Sequence, residues 1–218
     1  MSPVADLAQG QTGTFKLGTV TGLGARLDRI LDAYERRLPG IRIELISLPV
    51  KERLAQLAEG RLDAAFVRAA APDDSPGLRF IPLWDEELVI ALPARHPLAE
   101  RDALSLADLA GLPLRLTGRR DNPALVDAVA TACQEAGFQP VSAPAADTLH
   151  DTLAAVGSGA PTWTVVYEAN AEMTRVPRVV FRRLADRALT LPTSLTVRSA
   201  QPLPRVLLAA CREPDSPA

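Results

Sequence analysis

Few side chains in this sequence could carry out a chemical reaction. The chain of 218 residues holds two histidines, His96 and His150. His96 stands in a His-Pro-Leu-Ala run that is typical of a structural position, and His150 falls on the exposed face of a predicted helix. Ser158 lies between two glycines but lacks the Gly-x-Ser-x-Gly spacing of a hydrolase nucleophile. We therefore predict that the protein is not an enzyme.

The signals for cofactors and metals are weak. Gly22 and Gly24 follow a predicted strand and match two glycines of a dinucleotide fingerprint, but its third glycine is missing. Glu44 falls inside the next strand and not at its end, where a ribose-binding acid would stand. Cys133 and Cys211 are too far apart for a zinc site or a disulfide scaffold. We predict no cofactor and no metal site.

Hydroxyl groups at the end of the first predicted strand suit the binding of an anion. Thr19 and Thr21 flank that end, and Gly22 opens the segment that leads into the first helix. Together with the unpaired amides of a helix start, such hydroxyls form a cradle for a carboxylate. The alternative is that Thr21 only caps the helix. We predict that these three residues contact a ligand.

Arg68 adds a positive charge at the end of the third predicted strand, where an apolar run meets a loop. A guanidinium at this place can hold a carboxylate through two parallel hydrogen bonds. The alternative is a salt bridge with Asp73 or Asp74. Arg68 joins the predicted ligand contacts.

Corresponding positions occur in the second half of the chain. Thr117 follows a predicted strand, and Arg119 stands two residues later, although a solvated loop charge is the alternative for this arginine. Thr162 and Trp163 could line the wall of a binding site, although a lone tryptophan is often a core residue. We predict that all four contact the ligand.

Hydrophobic periodicity indicates the elements that position these residues. Strands are predicted at residues 14–20, 41–48 and 63–67, and helices at 23–38 and 54–62. Pro39 and Gly40 end the first helix, because proline supplies no amide and glycine tolerates the turn. Strand and helix alternate, so we predict parallel strand pairing and an α/β fold.

The second half repeats this plan. Two separate strands are predicted at 78–83 and 87–92, and a helical turn capped by Ser105 follows at 105–109. Further strands are predicted at 112–116, 141–145, 163–167, 179–181 and 189–198. Helices are predicted at 123–136, at 147–156 with Asp147 as cap, and at 203–212.

Two similar α/β lobes are therefore expected. Lobe I comprises residues 13–91 and 192–213, and lobe II comprises residues 94–191. Residues 1–12 are predicted to be a residual linker, and residues 214–218 a frayed tail. Ligands of open α/β sheets lie beyond the carboxyl ends of the strands, so the predicted site is a cleft between the lobes.

Charge and composition exclude several classes of protein. There are 24 basic and 26 acidic residues, and the isoelectric point is near 5.8, which argues against a nucleic-acid surface built by this chain. The uncharged apolar run at 88–94 is too short to cross a bilayer. Residues 1–13 lack the basic start and apolar centre of a signal peptide. We predict a soluble, cytoplasmic protein without a membrane partner.

Several segments in a fixed order resemble one protein family. The first are Gly13-x-Phe15-Lys16-Leu17-Gly18, Leu38-Pro39-Gly40-Ile41 and Gly60-x-Leu62-Asp63-Ala64. The later ones are His96-Pro97-Leu98-Ala99, Ser105-Leu106-Ala107-Asp108-Leu109-Ala110-Gly111 and Ala136-Gly137-Phe138-x-Pro140. Over about residues 13–213, the chain resembles the effector-binding domain of LysR-type bacterial transcriptional regulators.

This resemblance implies the fold of type 2 periplasmic binding proteins, with two Rossmann-like lobes joined by crossover strands near 91–93 and 191–193. It implies a small anionic effector, such as a carboxylate, in the cleft between the lobes. It also implies an antiparallel homodimer, in which helix 23–38 and strand 41–48 of one chain lie against helix 123–136 of the other. DNA binding is expected only through an N-terminal helix-turn-helix domain that this chain lacks.

The segment from Gly157 departs from the family pattern. The family often has Gly-x-Gly-Ile-Ala-x-x-Pro there, whereas this chain has Gly-Ser-Gly-Ala-Pro-Thr-Trp-Thr, and Pro161 removes a backbone donor. The same fold occurs in solute-binding proteins of transporters. Such a protein is the alternative, and it would require an export signal.

Overall fold

A computed structural model describes residues 13–68, 75–144, 146, 148–186 and 188–213. The chain forms two compact units. Unit 1 comprises the residues up to Trp84 and those from Pro192 onward, and unit 2 comprises Asp85–Leu191. No helix among the described residues combines the length and the apolar character that crossing a membrane requires.

The first six elements follow the periodicity of the sequence. In chain order they are β1 (Gly13–Thr19), α1 (Ala25–Arg37), β2 (Ile41–Ser47), α2 (Val50–Ala58), β3 (Ala64–Arg68) and β4 (Leu78–Pro93). The predicted alternation of strands and helices is confirmed. The prediction of two separate strands at 78–83 and 87–92 is wrong, because β4 is continuous through Pro82 and Glu86. Pro82 is exposed, and a strand accepts proline where its missing amide is not needed by a neighbour.

Shorter elements fill the second half. They are a 3₁₀ helix (Pro97–Glu100), β5 (Ala103–Leu104), a second 3₁₀ helix (Leu106–Leu109), β6 (Leu114–Arg115), α3 (Pro123–Glu135), β7 (Ser142–Ala143), α4 (Leu149–Gly157), β8 (Thr164–Tyr167), α5 (Glu168–Met173), β9 (Val179–Leu184), β10 (Leu189–Arg198) and α6 (Arg205–Cys211). Helix α5 was not predicted, because none of its residues is buried and it has no apolar stripe.

The cap of α4 also differs from the prediction. The hydroxyl of Thr148 accepts a hydrogen bond from the amide of Asp151 at 3.1 Å, so Thr148 is the N-cap. Asp147, the predicted cap, lies outside the described residues. The predicted turn at 105–109 is confirmed, since the amide of Ser105 donates to the carboxylate of Asp108 at 3.0 Å.

Unit 1 is built on parallel strands. β1 pairs with β2 on one side and with β3 on the other, both in parallel, and β10 pairs antiparallel with β3. The apolar stripe of α1 packs on this sheet, where Ile30 and Tyr34 join Phe15, Phe66 and Leu207 in one buried cluster. The carboxyl ends of β1 and β3 therefore share one edge of the sheet.

Unit 2 has a mixed sheet. β8 and β9 pair antiparallel with β4, and β5 pairs in parallel with β9. Helix α3 buries Leu125, Val129 and Cys133 against this unit's core, which also contains Leu109 and Trp163. These three buried residues of α3 are each four positions apart and form the apolar stripe of the helix predicted at 123–136.

Gly18 of β1 leaves space for the stem of Arg53. A β-carbon on Gly18 would lie 2.8 Å from Cγ and 2.9 Å from Cδ of Arg53. The guanidinium of Arg53 donates to the carbonyl of Phe66 in β3 at 2.5 Å and to that of Leu48, just after β2, at 2.8 Å. Arg53 thus links β3 to the segment that follows β2.

We expect Gly18→Ala to lower the free energy of unfolding by about 1–3 kcal/mol, because the stem of Arg53 is fixed at both ends and must move. Urea denaturation followed by circular dichroism measures the loss. Gly111→Ala is the control, since a β-carbon there meets nothing within 4 Å. Equal midpoints for the two variants would show that Arg53 is not fixed in this position.

Candidate functional site

Arg68 fixes the loop between β1 and α1. Its side chain is buried at the end of β3, with Nη2 donating to the carbonyl of Gly22 at 2.6 Å and Nη1 donating to the carbonyl of Thr21. A bidentate grip on a ligand carboxylate, as predicted from the sequence, would compete with both bonds. The structure therefore gives Arg68 a positioning role for the loop. The alternative partners Asp73 and Asp74 lie outside the described residues.

The loop held by Arg68 contains the predicted threonines. Thr19 is half-buried, and its hydroxyl donates to the carbonyl of Val20 at 3.4 Å. Thr21 is exposed. Gly22 has a φ of 77°, a left-handed conformation that favours glycine. The structure thus brings Thr19, Thr21, Gly22 and Arg68 together in unit 1.

Thr21 does not cap helix α1. The N-cap is Gly24, with a φ of 53°, and no side chain of the described residues caps this end by a hydrogen bond. The alternative interpretation of Thr21 is therefore wrong. Ligand contact stays the prediction for this residue.

Arg53 is a second buried guanidinium near these strand ends, and sequence reasoning missed it. Only 5% of its surface is exposed. Burial lowers the pKa of Arg53 to about 10, and the charge of Arg68 acts in the same direction. The predicted helix at 54–62 begins after Arg53, whereas α2 begins at Val50 and buries Arg53 together with Leu57, so the prediction started the helix too late to include this residue. Two guanidiniums at one sheet edge create a positive potential that favours an anion.

The predicted residues after β6 of unit 2 lie at its surface. Thr117 is half-buried, and Arg119 is exposed. The guanidinium of Arg119 holds Asp127 of α3 in two bonds, Nε to Oδ1 at 2.6 Å and Nη2 to Oδ2 at 2.9 Å. These bonds raise the pKa of Arg119 and lower that of Asp127. A ligand carboxylate would have to displace Asp127 to take this two-point contact with Arg119.

Trp163 is a core residue and not a ligand platform. Its side chain is fully enclosed, and its indole Nε1 donates to the carbonyl of Leu112 at 3.0 Å. The neighbouring Thr162 is also buried, and its hydroxyl accepts a hydrogen bond from Nε of Arg115 at 3.2 Å. The departure from the family pattern at this segment thus places the large ring inside unit 2, where it completes the packing.

A groove of about 670 Å³ lies elsewhere in unit 2. It runs along α3, and none of the eight predicted site residues lines it. Its floor is apolar, whereas three carboxylates belong to its lining: Asp127, Glu135 and Asp186. Asp127 is paired with Arg119, but the described residues that line the groove include no lysine or arginine, so the groove is a poor place for an anionic effector.

His96 and the two cysteines take structural positions, whereas His150 is exposed on α4. Nδ1 of His96 accepts a hydrogen bond from the amide of Leu98 at 3.2 Å and caps a 3₁₀ helix. Both cysteine thiols are buried, and burial raises the pKa of Cys133 to about 11 and that of Cys211 to about 12. Across the described part of the chain, no three His, Cys, Asp or Glu side chains are grouped to hold a metal ion.

Comparison with known proteins identifies related regulators. The HTH-type transcriptional regulator TtuA of Agrobacterium vitis is 31% identical over 162 residues, which are 71% of this chain and 52% of that protein. The DNA-binding transcriptional dual regulator OxyR of Escherichia coli is 31% identical over 157 residues, or 69% of this chain and 50% of that protein. The chain spans about half the length of these curated relatives.

Solved structures share the fold. The effector-binding domain of BenM, determined with its effector benzoate, is 24% identical with a TM-score of 0.82, over 93% of this chain and 92% of that one. CbnR, a LysR family transcriptional regulator, is 21% identical with a TM-score of 0.79, over 97% of this chain and 73% of that one. The predicted α/β fold of the type 2 periplasmic-binding-protein kind is confirmed.

Residues 8–213 match the family described as the LysR substrate binding domain. This match covers all of the described residues and agrees with the motifs seen in the sequence. The chain belongs to the LysR substrate-binding domain family.

Proposed function

We propose that this chain is the ligand-sensing domain of a LysR-type transcriptional regulator and that its effector is a small carboxylate. The loop that Arg68 fixes at the end of β1 is the observation that carries the proposal. Thr19 and Thr21 present hydroxyls there, and two buried guanidiniums lie close to the same strand ends. Hydroxyl donors beside buried positive charge suit a carboxylate, whereas they disfavour a cation.

We propose that the effector contacts both units. Thr19, Thr21 and Gly22 would provide the contacts of unit 1, with Arg68 holding their loop, and Thr117 would provide one from unit 2. A ligand changes the balance between two conformations only if it binds them with different affinity. Contacts to both units would give the effector that difference. Arg119 would contribute only in a conformation that releases Asp127.

A response based on cysteine oxidation is disfavoured for this chain, although several relatives are named hydrogen peroxide-inducible genes activators. The thiolate is the form that reacts with peroxide, so a sensor cysteine needs exposure and a low pKa. Cys133 and Cys211 are buried, and the pKa of each is raised. They also belong to different units, with Cys133 in unit 2 and Cys211 in unit 1. Effector binding therefore remains the better explanation of sensing.

The partners of the regulator are also part of the proposal. We propose a homodimer in which α1 and β2 of one chain lie against α3 of the other. β2 is an edge strand of its sheet, and its residue Leu45 is 40% exposed in the single chain. A partner chain lying against β2 would cover this apolar side chain and the strand edge. DNA would be bound, in the cytoplasm, through a helix-turn-helix domain of the kind that gives the TtuA relative its name. The family match favours this regulator over a transporter's solute-binding protein.

A thermal-shift screen tests the effector proposal. Sodium benzoate, phthalate and succinate are each compared with their neutral amides. At a concentration 100 times its Kd, a carboxylate that binds only the native state raises the Tm by about 5–10 °C. Thr19→Val and Thr117→Val should abolish this shift, and Thr131→Val, at an exposed position of α3, should keep it. If both site variants respond like the unaltered domain, the assignment of the site is wrong.

A further inference from the structure

Thr193 on β10 is a buried hydroxyl whose role the core does not explain. Only 1% of its surface is exposed. Its Oγ1 is enclosed and has no hydrogen-bond partner among the described residues. Buried polar atoms in folded proteins nearly always have a hydrogen-bond partner. Without one, burial removes the hydrogen bonds that the atom makes to water in the unfolded chain, and this loss lowers the stability of the fold. The hydroxyl of Thr193 is therefore free to bind a polar group that the described residues do not supply.

The register of the sheet places Thr193 beside Arg68. β10 runs antiparallel to β3, and Thr193 is the direct partner of Arg68 in that pairing. Directly opposed residues of an antiparallel pair point to the same face, with their β-carbons about 4.5–5.5 Å apart. On that face Arg68 reaches the carbonyls of Thr21 and Gly22. Thr193 thus stands next to the loop that we propose as the effector site.

We propose that Thr193 is an effector-binding residue and that its hydroxyl donates a hydrogen bond to a carboxylate oxygen of the ligand, beside the charge of Arg68. This inference rests on the proposed function, and it adds a contact from the strand β10 that sequence reasoning did not include. A hydroxyl donor adjacent to a buried guanidinium favours an ionised oxygen over a neutral carbonyl. The residue would therefore help to select carboxylates over their amides.

The position of Thr193 also gives it a mechanical role. β10 carries residues of both units, with Leu189–Leu191 in unit 2 and the residues from Pro192 onward in unit 1. Thr193 is the second residue after that boundary. Because its oxygen is enclosed in this structure, a ligand reaches it only when the covering atoms move. Binding at Thr193 is then coupled to a change of conformation.

Thr196 offers a matched control on the same strand. Its hydroxyl is also enclosed and has no partner among the described residues, and none of its surface is exposed. It is opposite Ala65, which faces the apolar cluster with Leu57 and Leu62 on the other side of the sheet. Thr196 therefore shares the chemistry and burial of Thr193 but faces away from Arg68 and from the loop that Arg68 holds.

Isothermal titration of Thr193→Val and Thr196→Val with benzoate, phthalate and succinate tests the inference. Valine keeps the shape of threonine, so both variants should fold and unfold at a Tm no lower than that of the unaltered domain. For the carboxylate that binds the unaltered domain most tightly, we expect Thr193→Val to raise the Kd about tenfold or more and Thr196→Val to leave it within twofold. Thr193→Ser, which keeps the hydroxyl, should restore most of the affinity.

The outcomes separate the two proposals. If a carboxylate binds the unaltered domain and Thr193→Val binds it equally well, Thr193 is not a contact, while the proposed function stands. Thr193 is likewise excluded as a contact if Thr196→Val weakens binding as much as Thr193→Val, because the loss is then a general effect on the strand. If none of the three carboxylates gives saturable binding to the unaltered domain, the proposed carboxylate site and the proposed role of Thr193 are both wrong.

Discussion

Replacing Trp163 by alanine is expected to lower the free energy of unfolding by about 3–5 kcal/mol, the range found when a large buried aromatic side chain is removed. The ring is fully enclosed in the core of unit 2, so its removal leaves a cavity that the neighbouring leucines fill only in part. The indole hydrogen bond to Leu112 is lost as well. Urea denaturation followed by circular dichroism measures the loss.

Two further variants show whether packing is the cause. Trp163→Phe keeps one aromatic ring but loses the five-membered ring and the hydrogen bond to Leu112, so it should cost less than alanine, about 1–3 kcal/mol. Met173→Ala, at a residue of unit 2 that is 65% exposed, should change stability by less than about 0.5 kcal/mol. A stable Trp163→Ala protein that has lost carboxylate binding would instead support the ligand-facing ring predicted from the sequence.

Arg68→Met is expected to cost about 2–4 kcal/mol, because it removes two charge-assisted hydrogen bonds to the carbonyls of Thr21 and Gly22. The loop between β1 and α1 should also become more mobile. Hydrogen exchange of residues 20–24 should then accelerate, and any carboxylate that binds the unaltered domain should bind more weakly. Urea denaturation and hydrogen–deuterium exchange measure these two effects.

The shape of the arginine fork is central to this expectation. Arg68→Lys keeps the charge, but one ammonium does not reproduce the planar pair of donors, so part of the loss should remain. Arg119→Met should leave stability almost unchanged, because Arg119 and Asp127 are an exposed ion pair. Unchanged exchange of residues 20–24 in Arg68→Met would contradict the positioning role of Arg68.

Local periodicity was sufficient to predict most of the elements. The apolar stripe of α1 and the strands β1 and β3 are short-range patterns that agree with the burial found in the structure, whereas in β2 the apolar Leu45 is exposed. Helix α5 has no buried residue and therefore leaves no such pattern. The continuity of β4 depends on its neighbours in the sheet, and a sequence containing Pro82, Trp84 and three consecutive acids does not reveal those neighbours.

The candidate site was predictable by position but not by bonding. Strand ends could be located, so Thr19, Thr21 and Arg68 were found on one edge of unit 1. The hydrogen-bond partners of a guanidinium depend on which backbone carbonyls the fold places within reach. The spacing of residue types along the sequence does not reveal those carbonyls. Trp163 illustrates the same limit, since residue type alone does not tell a core ring from a ligand-facing one.

The burial of both thiols has a practical consequence. Because Cys133 and Cys211 are the two cysteines of the chain and neither is exposed, a cysteine added at the surface would react with a maleimide dye far faster than either of them. One added cysteine in each unit, for example at the exposed positions Lys51 and Met173, would accept a donor and an acceptor fluorophore without prior removal of the native residues. Energy transfer between the dyes would then report motion of the two units as an effector is titrated.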